Sequence, residues 1–180
     1  MDYELAANYW IKKDAEAARM NDAALEERIE QFIKAHNTCA LATACDGFVR
    51  CTPIEYNYVD GSFYLFSEGG LKFKALKENK HVAFAVYEPY GGFGQLKSLQ
   101  VSGTTTIIEP FSEEYLQLLA HKKIPVEAMK KLPQPMHLIK IAPESYDYLD
   151  SDLKKENLSV RQHLTKACQG HGGQQSDNVF

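Results

Sequence analysis

Residues 38–66, TCALATACDGFVRCTPIEYNYVDGSFYLF, decide the fold. Thr38–Thr43 is a short apolar run, Asp46-Gly47 is a dipeptide favoured in two-residue hairpin turns, and Val49–Tyr58 is rich in β-branched and aromatic residues. Asp60-Gly61 supplies a second turn into Ser62–Phe66, so the stretch reads as a β-meander. Further along, Leu71, Lys74, Ala75 and Glu78 recur at helical spacing within Leu71–Asn79, and His81–Tyr87 (HVAFAVY) has the look of a buried strand. Ser98–Ile108 (SLQVSGTTTII) is a long strand in which Gly103 marks a bulge or bend. About six short strands joined by tight turns predict a mainly β domain with flanking helices, a closed or split β-barrel rather than a doubly wound parallel sheet.

The flanks read as helical. Asn21 or Asp22 caps a helix whose Leu25, Ile29, Phe32 and Ile33 form one apolar stripe, and an earlier helix, Asp2–Met20, exposes Tyr3, Trp10 and Ile11. Ser112 caps Glu113–His121, and Ile124-Pro125 begins a short helix. Met136–Ile141 is a returning strand that Tyr146–Leu149 extends, and Val160–Lys166 reads as a weak final helix. The expected organisation is a helical extension over 1–22, a barrel domain over 23–166 and a glycine-rich, disordered tail over 167–180.

Three residues on successive segments carry chemistry. Arg50, Lys72 and Gln100 would supply two cations and a neutral hydrogen-bonding group, the set that a phosphate withdrawn from water requires. Strand alternation puts Arg50, Thr52, Ile54 and Tyr56 on one face. Pro53 cannot donate to a ladder, which places it on an edge or bulge where free backbone groups can approach a planar ring. Ser67 and the glycines after it offer further N–H groups. Each has a bland reading beside this one: Arg50 as a solvated strand residue, Lys72 with Lys74 and Lys77 as the polar face of a short helix, Gln100 as uninformative alone.

Composition bounds the alternatives. The 180 residues are 44% apolar with a formal net charge of -4, scattered basic residues and no run of the roughly 20 apolar residues that a membrane span needs. No nucleic-acid surface or membrane partner is expected, and the acidic, amphipathic start (MDYELAANYW) lacks a secretory pattern, so cytoplasmic residence is the expectation. Gly91-Gly92-Phe93-Gly94 lacks the spacing of a dinucleotide fingerprint, and Glu68-Gly69-Gly70-Leu71-Lys72 lacks the Ser or Thr of a P-loop. Four cysteines show no C-x-x-C pair, and Cys39, Cys45 and Cys51 read as reduced. Cys168 and His171 are spaced to share a metal or haem iron but lack a full ligand set.

The ordered set ALAT, DGFVRCTPIEY, DGSFYLFSEGG, GLKFKALKEN and LQVSG resembles the pyridoxamine-5'-phosphate-oxidase-like flavoproteins, over roughly Ala23–Leu149. The resemblance implies an FMN-binding split barrel in which Arg50, Lys72 and Gln100 hold the FMN phosphate and ribityl chain, with Thr52, Pro53 and Ser67 beside them. It also implies a homodimer with flavin in a groove between subunits, acting as an oxidoreductase on a small organic substrate. The cofactor carries the electrons, so no catalytic side chain is assigned. The tryptophan- and arginine-containing carboxyl-terminal signature of true pyridoxamine-phosphate oxidases is missing, Trp10 being the only tryptophan. A haem-binding or haem-degrading relative, using His171 or another of the six histidines, and a non-enzymatic flavin-binding redox sensor are the alternatives. Trp10, Tyr56, Tyr58 and Phe93 are the aromatics expected to be exposed in a monomer.

Overall fold

In a computed structural model, residues 1–166 are described. Two hairpin turns start the architecture. Asp46 and Gly47 have φ of 40° and 75°, Asp60 and Gly61 of 48° and 75°, the paired left-handed conformation that suits the twist of a two-residue hairpin. The first turn joins β1 (Thr38–Cys45) to β2 (Phe48–Glu55) from Cys45↔Phe48 to Thr38↔Glu55; the second joins β3 (Asn57–Val59) to β4 (Ser62–Ser67).

The expected meander stops between these hairpins. Tyr56 is 3% exposed and donates its hydroxyl to Ile33 O at 2.7 Å, so the chain dives into the core instead of running on as one strand. Tyr56 therefore leaves the set of exposed aromatics, and Tyr58 packs half-buried against the same core. Beyond it, β4 pairs with β7 (His137–Asp150) rather than with β2. The sheet order is β2-β1-β5-β6-β7-β4-β3, with β5 at His81–Tyr87 and β6 at Lys97–Ile108. The two stretches 136–141 and 146–149 form one strand, β7, which pairs with β6 along its length, with β4 near its start and with β8 (Arg161–Thr165) near its end. This is a split β-barrel with flanking helices.

The final helix expected over Val160–Lys166 is instead β8. Gln162 and Leu164 are buried while Arg161, His163 and Thr165 are exposed, a period of two. Gly103 does mark a bulge: the β6–β7 register shifts between Ser102 and Gly103, and a Cβ on Gly103 would lie 2.4 Å from Ala142 O.

Helix α2 (Asp22–Ala35), capped by Asn21 Oδ1 accepting from Ala23 N at 3.0 Å, inserts Leu25, Ile29, Phe32 and Ile33 among Leu41, Phe63, Phe84, Val101 and Ile141 of the barrel. A second core beneath α4 (Glu113–His121) and α5 (Val126–Lys130) gathers Tyr64, Tyr115, Leu119 and Leu138. Helix α1 (Tyr3–Ala15) buries no residue. Among the described residues no helix is long and apolar enough to cross a membrane.

Candidate functional site

Among the described residues β2 pairs only with β1, which makes it an edge strand, as Pro53 anticipated. Its residues Phe48, Arg50, Thr52 and Ile54 face the side on which helix α3 (Lys72–Glu78) packs: Lys74 Nζ lies 5.0 Å from the Phe48 ring centroid, and Ile54 packs on the barrel core. The hairpin register sets Thr43 opposite Arg50. Thr43 is 2% exposed, and among the described residues its hydroxyl has no hydrogen-bond partner.

Lys72 closes the site from the other side. It is 7% exposed, and its ammonium donates to Gly69 O at 2.6 Å. Gly69 and Gly70 have φ of 127° and 104°, which bends the Ser67–Lys72 loop back over the ammonium. The Ser67 hydroxyl both donates to Gly69 O and accepts from Gly69 N, each at 3.1 Å, so Ser67 shapes this loop and the Gly69 N–H is already engaged. Burial, and then the neighbouring Arg50 charge, hold Lys72 below the ordinary lysine value. Among the described residues neither Arg50 nor Lys72 forms a salt bridge. Two cations without a carboxylate partner among the described residues, beside a buried hydroxyl, could receive a dianion such as a phosphate monoester.

Gln100 is not part of this cluster. The register aligns Pro53, Ala40, Ala85, Gln100, Asp147 and His163 in one row across β2, β1, β5, β6, β7 and β8. Alternation puts that row on the face opposite Arg50 and the buried Thr43. Arg50 and Gln100 are also three strands apart, about 14 Å across the sheet. Pro53 shares Gln100's face, whereas Thr52 shares that of Arg50. The Gln100 face is floored by the small side chains Ala40, Ala42, Ala83 and Ala85. The sequence contained a signal for Thr43: counting back from the Asp46-Gly47 turn pairs it with Arg50. Nothing comparable in the sequence pairs Asp147 with His163, because the helix expected over Val160–Lys166 hides the strand that brings them together.

The family model described as pyridoxamine 5'-phosphate oxidase matches residues 25–150, more than two-thirds of the chain. The chain belongs to this family. No curated protein matches it. Among solved structures, an FAD-binding protein from Mesorhizobium loti is 26% identical, with 68% of this chain and 89% of that one covered at a TM-score of 0.55. HutZ, the haem storage protein from Vibrio cholerae, is 20% identical over 67% of this chain and 90% of that one, TM-score 0.56. General Stress Protein 26 from Bacillus anthracis is 20% identical over 79% and 98%, TM-score 0.55. The last two likenesses speak to the fold alone. The pyridoxamine 5'-phosphate oxidase match runs from Leu25, within α2, to the end of β7, so Arg50, Lys72 and Gln100 lie inside it, whereas α1 and β8 lie outside.

Proposed function

We propose that this protein is an FMN-dependent oxidoreductase acting on a small organic substrate as a homodimer. The observation that carries the reading is the uncompensated pair Arg50 and Lys72, set in a family one of whose similar structures is an FAD-binding protein. The residues present fit the group: Arg50, Lys72 and the Thr43 hydroxyl would hold the phosphate, and Thr52 lies beside them on the same face. The flavin, when bound, would supply two-electron transfer.

The opposite facing of Gln100 supports two copies per site. A flavin whose phosphate sits by Arg50 of one chain meets a Gln100 on its ring only from a second chain, over that chain's alanine floor, where a flat group can lie close to the strands. Trp10 and Phe93, 45% and 88% exposed, are apolar surface available to such a contact. The free cysteines Cys39, Cys45 and Cys51 suit a reducing, cytoplasmic setting.

Equilibrium titration with FMN, FAD, riboflavin and haemin tests the assignment. FMN ranks first if the phosphate receptor is real, and riboflavin binding as tightly as FMN removes the argument. A Soret band on adding haemin without any flavin uptake transfers the site to haem. Sedimentation should give twice the 20.3 kDa chain mass with about one flavin per chain; a monomer binding FMN stoichiometrically defeats the shared site.

A further inference from the structure

A cavity of about 250 Å³ opens on the Gln100 face, lined by Ser98, Gln100, Asp147, Arg161 and His163, with Arg19 at its rim. Gln100, Asp147 and His163 are successive partners in one cross-strand row, so His163 stands two strand spacings from Gln100, about 10 Å. The imidazole is held at both nitrogens: Nδ1 lies 2.8 Å from Asp147 Oδ1, and Nε2 lies 3.0 Å from Thr165 Oγ1. With Asp147 accepting from Nδ1–H, the neutral ring presents a basic Nε2 to the Thr165 hydroxyl, and the same carboxylate stabilises the imidazolium formed when Nε2 is protonated.

The charged groups around this ring oppose one another. Arg161 is two residues away on the same face of β8, and its guanidinium stacks 4.2 Å from the Trp10 centroid. Arg19, from the segment after α1, donates to His163 O, and Asp14 lines the same cavity. Two arginines and the carboxylates of Asp147 and Asp14 thus surround the cavity that the ring lines. A further negative charge brought near Gln100 would attract a proton toward this ring.

We propose that His163, oriented by Asp147, is the redox-linked proton site of the flavin pocket, taking up a proton as the flavin on the Gln100 face is reduced. The inference rests on the FMN reading. Two electrons and one proton reduce the flavin and leave it one unit more negative; a second proton from solvent goes to Nε2 of His163. Two electrons and two protons thus enter together, the electrons coming from a hydride donor or, in vitro, from an electrode. In oxidation of the flavin the imidazolium returns its proton.

Spectroelectrochemical titration of the FMN-loaded protein across about pH 6 to 8 reads the number of protons taken up per two electrons from the slope of midpoint potential against pH. The native protein should take up one more proton than His163→Gln over part of that range. Asp147→Asn, which keeps the imidazole but removes the carboxylate favouring its charged form, should move the two-proton range to lower pH. Identical slopes in all three proteins overturn the proposal while leaving FMN binding intact. Failure of the native protein to bind FMN overturns the flavin reading and this one with it. Should His163→Gln fail to fold, histidine NMR of the native protein decides: the His163 ring must titrate at higher pH in the reduced than in the oxidised holoprotein, and coincident curves reject the coupling.

Discussion

Replacing Lys72 with Met separates a lysine kept for a ligand from one kept for the fold. In the ligand-free protein the change removes the ammonium's hydrogen bond to Gly69 O, an interaction of about 1.5–3 kcal/mol for a charged donor. It also removes the cost of burying an ammonium next to the Arg50 guanidinium, which acts in the opposite direction and is of similar size. Gly69 O is not orphaned, because the Ser67 hydroxyl still donates to it at 3.1 Å. Methionine follows the same path as the lysine stem and adapts to irregular gaps. Stability in urea should therefore change by no more than about 1 kcal/mol in either direction. FMN loses a charge-assisted phosphate contact and should bind roughly ten- to a hundredfold more weakly, measured by quenching of flavin fluorescence. A Lys72→Met protein that is destabilised by more than about 2 kcal/mol yet binds FMN with native affinity would refute the reasoning, since that is the signature of a structural lysine.

Arg50→Ala should weaken FMN by a similar roughly ten- to a hundredfold while leaving the melting temperature nearly unchanged, because Arg50 is exposed and forms no salt bridge among the described residues; calorimetry with parallel flavin titration checks both halves. The Lys72 value lies below that of an unfolded lysine, so its charge opposes folding where it is protonated, and stability rises as pH climbs through the folded value. A phosphate contact requires the charged form, so FMN affinity should be full below that value and lost above it; Lys72→Arg should hold affinity to higher pH in titrations from neutrality to about pH 11. Gly103→Ala should cost about 1–3 kcal/mol or more, because its Cβ would sit 2.4 Å from Ala142 O and 3.1 Å from Ile141 Cγ2; an unchanged urea midpoint would show that the bulge relaxes freely.

Where local chemistry dictates conformation, the sequence was legible. Asp-Gly pairs forced both hairpins, the Leu25, Ile29, Phe32 and Ile33 stripe gave α2, and Gly103 announced its bulge. What escaped depended on partners far along the chain. Tyr56 looks like one more strand aromatic until α2 offers the Ile33 carbonyl to its hydroxyl. The period of two in β8 is carried by Gln162 and Leu164 alone, and Gln162 is buried only because its amide is satisfied by Ala18 O and Ser159 O and accepts from Met20 N. Arg50, Lys72 and Gln100 form a set by linear order, but order does not fix which face of a sheet a side chain takes. Register does, and it puts Arg50 and Gln100 on opposite faces of the sheet.

Strand β7 has a further consequence, one for how the molecule comes apart. Its early residues Leu138–Ile141 carry β4 while Ser145–Leu149 carry β8, and β6 runs along both. Leu138 packs in the core beneath α4, and Ile139, Ile141 and Tyr146 pack in the barrel core, so one ladder is anchored in both. Neither core can melt without stripping a strand that the other needs. Heat should therefore dissolve both in a single calorimetric transition, and the amides shared by β6 and β7 should exchange with deuterium only when the whole molecule opens.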